Sequence, residues 1–147
     1  MFKHFLVPLD GSELASRAIH VGVELARQLG ASITAFVAEP PALATSTGHG
    51  ALHCLGEIEE HARASAQHAE GVVARFERCA ALAGVPFRGL YATTRQIDLA
   101  IAETARQQGC DVIVMVTHGR GAFGELLHGS WTHRVMAHTK LPLLVLH

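Results

Sequence analysis

Three cysteines in 147 residues, Cys54, Cys79 and Cys110, are too few and too far apart for a disulfide framework, and none forms a C-x-x-C pair. Cys110 stands between a helical pattern and an apolar run and is expected to be a small core residue. Charge is also scarce. Charged residues are 17% of the chain and the formal net charge is -1, so a general nucleic-acid binder with a basic face is excluded. No apolar run approaches the roughly 18 residues of a membrane span. The opening MFKHFLVPLDGSE turns polar too early for a signal peptide. A cytoplasmic protein with no membrane and no nucleic-acid partner is expected. There is no Gly-x-Ser-x-Gly elbow and no Gly-x-x-x-x-Gly-Lys-Ser/Thr loop, and no residue stands out as a base for activating water. The chain is therefore not expected to be an enzyme. It shows no internal repeat, and its length suits one domain, residues 1–147, able to bury roughly two thirds of its unfolded surface.

What the sequence does contain is a strict alternation of apolar runs and helical stripes. Residues 2–9 carry Phe5, Leu6 and Val7 and read as a buried strand, with Pro8 near its end. Asp10-Gly11-Ser12 is a turn, with Ser12 a candidate helix cap. Leu14, Ala18, Val21, Leu25 and Leu29 then fall on one helical face, closed by Gly30. Residues 32–38 form a second strand. Strand, helix and strand joined by short connections make a right-handed βαβ unit with parallel strands. After Pro40-Pro41, residues 42–55 are small and polar and are expected to be a mobile loop of about 15 residues. A long helix over 57–83 carries Ile58, Ala62, Ala69, Val73, Phe76, Ala80 and Ala83, and Gly84 ends it. A third strand is expected over 85–92. Ile97, Ile101 and Ala105 mark a third helix closed by Gly109, and a fourth strand covers 111–116. A helix follows over Ser130–His138, then a last strand over 141–146. Five strands and four helices in this order predict an α/β fold: a doubly wound, five-stranded parallel sheet in a three-layer α/β/α arrangement. Ligands of such sheets sit at the carboxyl ends of the strands, where strand order reverses. Asp10, Val37 and the loop after Val116 are expected to meet there.

The chemistry gathers in the last quarter, DVIVMVTHGRGAFGELLHGSWTHRVMAHTKLPLLVLH. An apolar strand runs into a glycine loop, His118-Gly119-Arg120-Gly121. Nine residues separate Gly119 from Gly129-Ser130, which opens a helix. Glycine lets backbone N–H groups approach a ligand, and a helix start offers free donors and a partial positive charge. Together they suit phosphate. The bland alternative is a connector whose glycines serve only turn geometry.

This spacing resembles the nucleotide-binding signature of the universal stress protein family: glycine, two residues, glycine, nine residues, then glycine and Ser or Thr. FKHFLVPLDGSELASRAI, GASITAFVAEP, GCDVIVMVTHGRG and HGSWTHRVMAHTKLPLLVLH resemble four segments of that family in the right order. The resemblance implies an adenine nucleotide alpha hydrolase-like fold and a homodimeric, ATP-binding sensor or switch in the stress response. It places Asp10 on the ribose hydroxyls, Val37 on the adenine edge, and Gly119, Gly129 and Ser130 on the phosphates, with Mg²⁺ accompanying the ATP. The candidate nucleotide set is Pro8, Asp10, Val37, Val116, His118, Gly119, Arg120, Gly121, Gly129, Ser130 and Trp131. Two positions depart from the pattern. Val116 stands where the first glycine belongs, so either a positive φ would strain it or its branched side chain would crowd the ligand. Arg95-Gln96-Ile97 replaces a Gly-Asp-Pro turn. The alternative reading is an interaction module of the same family that has lost nucleotide binding.

The eleven histidines raise a metal question. His118, His128, His133 and His138 do not share one helical face, and His61 and His68 lie too far apart along theirs for one ion. His49 and His53 would need residues 42–55 to become helical. No metal site is expected. The apolar run 141–146 is expected at a sheet edge, an aggregation risk that pairing with a second copy relieves. The resemblance implies that homodimer, built through the C-terminal strand, together with a further protein partner of unknown identity.

Overall fold

In a computed structural model, residues 1–9, 15–41, 51–116 and 130–146 are described, with backbone alone for residues 15, 51–54, 130 and 131. Among them strands and helices alternate: β1 (His4–Leu9), α1 (Ala15–Leu29), β2 (Ser32–Glu39), α2 (Ala51–Leu82), β3 (Phe87–Thr93), α3 (Ile97–Gln107), β4 (Val112–Val116), α4 (Ser130–His138) and β5 (Leu143–Leu146). The five strands form one sheet of order β3-β2-β1-β4-β5, and every pair is parallel.

Burial explains why the central strands read as continuous apolar runs. Phe5, Leu6 and Val7 are buried in succession, as are Val112 to Met115, because helices cover both faces of the sheet. Alternate side chains divide between two cores. Phe5, Val7, Leu9, Val112 and Val114 join Phe76 and the buried face of α1, while Leu6, Ile113 and Met115 join Ile101 and Ala105 of α3 and Val135 of α4. Gly30, Gly84 and Gly109 take φ of 60°, 70° and 67°, the left-handed conformation that ends a helix.

Several expected details move. The buried face of α1 is Ala18, Ile19, Gly22, Val23 and Ala26, while Val21, Leu25 and Leu29 are only partly covered. Small residues at i, i+4 and i+8 bring this helix close to the sheet, and the larger side chains lie on the flanks. The helix expected from residue 57 begins at Ala51, so residues 51–55 are helical rather than loop, and Gly56 is tolerated inside the helix. Residues 42–50 lie outside the described residues. Ala62 is exposed, and continuous burial along α2 begins only at Ala69, Val72 and Phe76. The third strand begins at Phe87 rather than 85 and the last at Leu143 rather than 141, because residues 85–86 and 141–142 are connectors.

Asp111 fastens the centre of the sheet. Its carboxylate accepts the backbone N–H of Lys3 at 2.7 Å and of His4 at 3.1 Å, and its own N–H donates to the His4 carbonyl at 2.9 Å. His4 Nε2 lies 2.8 Å from the hydroxyl of Thr34, which is buried. Cys110 is also buried, and burial pushes its thiol pKa up to about 11. It is a packing residue, as the sequence implied.

Candidate functional site at the switch in strand order

The chain runs from β1 outward to β2 and β3, then returns to β4 and β5 on the other side of β1. Strand order therefore reverses between β1 and β4, and the carboxyl ends of these strands, Leu9 and Val116, flank the position where an open α/β sheet binds ligands.

Proline shapes this position. The β1–β4 ladder pairs Phe5 with Val112 and Leu6 with Ile113 and then stops, although both strands continue for three residues. The carbonyl of His4 faces β4 and that of Lys3 faces β2, so alternation turns Pro8 toward β4. The next bridge would need a Pro8 N–H donating to the Val114 carbonyl, and proline has none. On its other side β1 stays paired with β2 to the end, through Pro8–Phe36 and Leu9–Val37. The hydrogen-bonded ladder between β1 and β4 therefore ends at Leu6 and Ile113, before the carboxyl ends of the two strands.

Val116 closes β4 in register with Leu146, and among the described residues no non-glycine has a positive φ. The strain that glycine's absence would have caused is not present. Its side chain is half-buried and packs with Leu144 and Leu146 against the core on the α1–α2 face. Val37 is fully buried within the ladder, between Leu9 and Tyr91. Its backbone groups face β3, because Ile33 donates to Pro86 on that side and Glu39 accepts from Thr94 on the same side. Ala38 is the next residue whose backbone faces the β1 side, a position that sequence spacing did not single out. The alternation along β2 could have found it.

Asp10, His118, Gly119, Arg120, Gly121 and Gly129 lie outside the described residues. Ser130 and Trp131 form the start of α4, and their side chains are not described. α4 lies on the return path from the end of β4 to β5 and packs on α3. His138 Nε2 stands 3.5 Å from the Asp98 carboxylate and ties the end of α4 to the first turn of α3. At the departure at 95–97, the Thr94 hydroxyl accepts the Gln96 N–H at 3.1 Å, a side-chain turn in place of the glycine-containing one. Among the described residues no group of three or more His, Cys, Asp or Glu is placed to hold a metal ion. None of their helices is long and apolar enough to cross a membrane.

These features define a doubly wound parallel α/β protein with its switch point between β1 and β4. The Universal stress protein family model matches residues 1–147, and the chain belongs to that family. A universal stress protein of Thermus aquaticus, encoded in the 3′ region of a QAH/OAS sulfhydrylase, is 33% identical over 147 residues, covering 99% of this chain and 98% of its own length. Among solved structures, the universal stress protein UspA of Lactobacillus plantarum superposes with a TM-score of 0.74 at 22% identity, covering 99% of this chain and 98% of that one. A universal stress protein family protein of Arabidopsis thaliana, solved with AMP bound, superposes at 0.66 and 14% identity, covering 98% and 90%.

Proposed function

We propose that the protein is a homodimeric sensor or switch that binds ATP, with Mg²⁺, at the carboxyl ends of β1 and β4. The observation that carries this reading is the switch in strand order between β1 and β4, where their ladder ends early. Pro8 ends the central ladder early, and Val116 closes β4 in relaxed strand geometry with its side chain packed against the core. The position usually held by glycine is therefore compatible with a ligand. In this reading Asp10 accepts the ribose hydroxyls and the adenine edge meets the end of β2 at Val37 and Ala38. Gly119, Gly121 and Gly129 let the backbone approach the phosphates, with His118 and Arg120 beside them. Ser130 and Trp131 present N–H groups at the start of α4. A helix start and a glycine loop suit a Mg²⁺-bound triphosphate, the metal neutralising charge that the chain's own N–H donors do not. AMP bound to the Arabidopsis relative supports an adenine nucleotide. The protein acts by binding rather than as an enzyme, in the cytoplasm, and nucleotide occupancy changes a surface read by a further protein.

The test is the melting temperature of nucleotide-stripped protein with and without Mg-ATP. At 100 times Kd a ligand stabilises by about 2.7 kcal/mol, a rise of roughly 5–10 °C at this size. The rise should vanish in Asp10→Ala. A folded protein whose Tm ignores adenine nucleotides would transfer the function to the dimer as an interaction module.

A further inference from the structure

A groove of about 510 Å³ runs between α1 and α2. Its lining reaches Arg27 near the end of α1 and Leu82 at the end of α2, and both helices end where the chain turns back into the amino ends of β2 and β3. Its walls are chiefly apolar: Ile19 and Val23 from α1, and Cys79 and Leu82 from α2. Leu82 is 91% exposed, so one wall leaves a large apolar side chain in water. Arg75 also lines the groove, and its Nε is buried without a hydrogen-bond partner. That Nε is closed even to water, so a ligand in the groove would meet the rest of the side chain, whose guanidinium keeps its charge.

The one carboxylate in the lining is engaged elsewhere. Glu24 already accepts Arg27 Nε at 3.0 Å, Arg27 Nη2 at 2.7 Å and Gln28 Nε2 at 2.7 Å. Glu24 and Arg27 thus cancel, and the groove retains the positive charge of Arg75 beside apolar walls. Its size falls within the roughly 300–1,000 Å³ of small-molecule sites. We infer that the α1–α2 groove binds a small amphipathic monocarboxylate, its apolar body against Ile19, Val23 and Leu82 and its carboxylate on the guanidinium of Arg75. Charge complementarity selects the anion, and apolar burial supplies the affinity.

The test uses decanoate below its micellar concentration and decanol as the uncharged comparison, followed by methyl NMR of the whole protein. Decanoate should shift the methyl signals of Ile19, Val23 and Leu82 in a saturable way and bind about tenfold or more tighter than decanol. Arg75→Gln should remove that preference while leaving the response to Mg-ATP unchanged. Loss of the ATP response alone would overturn the nucleotide reading and leave this one standing. Equal binding of the two probes, shifts elsewhere, or an unchanged preference in a folded Arg75→Gln protein would overturn the inference. If Arg75→Gln does not fold, the decanoate–decanol comparison on the unaltered protein decides.

Discussion

Two glycines show how the same residue answers to different constraints. Gly22 lies inside α1, and a Cβ built there would meet Phe76 Cζ at 3.6 Å and the Val7 methyl carbons at 3.7 and 3.9 Å, ordinary contact distances. Gly22→Ala should stabilise by about 0.5–1 kcal/mol, raising Tm by roughly 2–4 °C, because it removes unfolded-state freedom and fills space. Gly89 lies on β3, where a Cβ would overlap Val73 Cγ1 of α2. Valine is stiff at χ1, so α2 would have to shift. Gly89→Ala should cost about 1–3 kcal/mol, and a Tm equal to that of the parent would refute the close approach. Glu24 carries the pH prediction at this scale. Hydrogen bonds first from Arg27 and then from Gln28 hold its carboxyl at about 2 instead of 4.5. The folded pKa is depressed, so its stabilising contribution is present above the unfolded value and is lost as pH falls from about 4.5 toward 2. Both side chains are about half exposed and screened, so the visible effect is on the titration rather than on Tm. An NMR titration should give a midpoint near 2 that moves back toward 4.5 in Arg27→Ala.

Among the elements, β5 carries the prediction about assembly. Among the described residues it pairs only with β4, and all four of its residues are half-buried. Ile113 donates to the Pro142 carbonyl, so alternation points Leu144 and Leu146 at β4 and turns the backbone groups of Leu143 and Val145 to the open edge. An open edge with apolar side chains is the surface a second copy would pair with. Val145→Pro removes an outward N–H without touching the β4 ladder. Light scattering should find a dimer for the parent and a folded monomer for the variant, and a dimeric variant would move the interface elsewhere. α2 shows where local pattern misleads at this scale. Its start was legible only as a small, polar stretch with glycines, and residues 55–64 impose no apolar stripe because all but Ile58 are exposed. The end of the helix was legible, because Val72, Phe76 and Ala80 are all buried.

For the whole molecule, the order of elements followed from sequence because two-sided burial writes itself as apolar runs and one-sided burial as helical stripes. The four segments resembling one family, and the match of the family model to residues 1–147, agree with that order. Sequence alone thus determined the class of fold, the positions of its helix-ending glycines, and the glycine spacing after β4 that suits phosphate. Only the tertiary structure decided which small residues of α1 face the core, that Val116 rests in strand geometry, and that Pro8 turns its missing N–H toward β4 and ends the ladder there. Those depend on strand order and register, which bring distant residues side by side, whereas a run of residues records only what is buried and with what period.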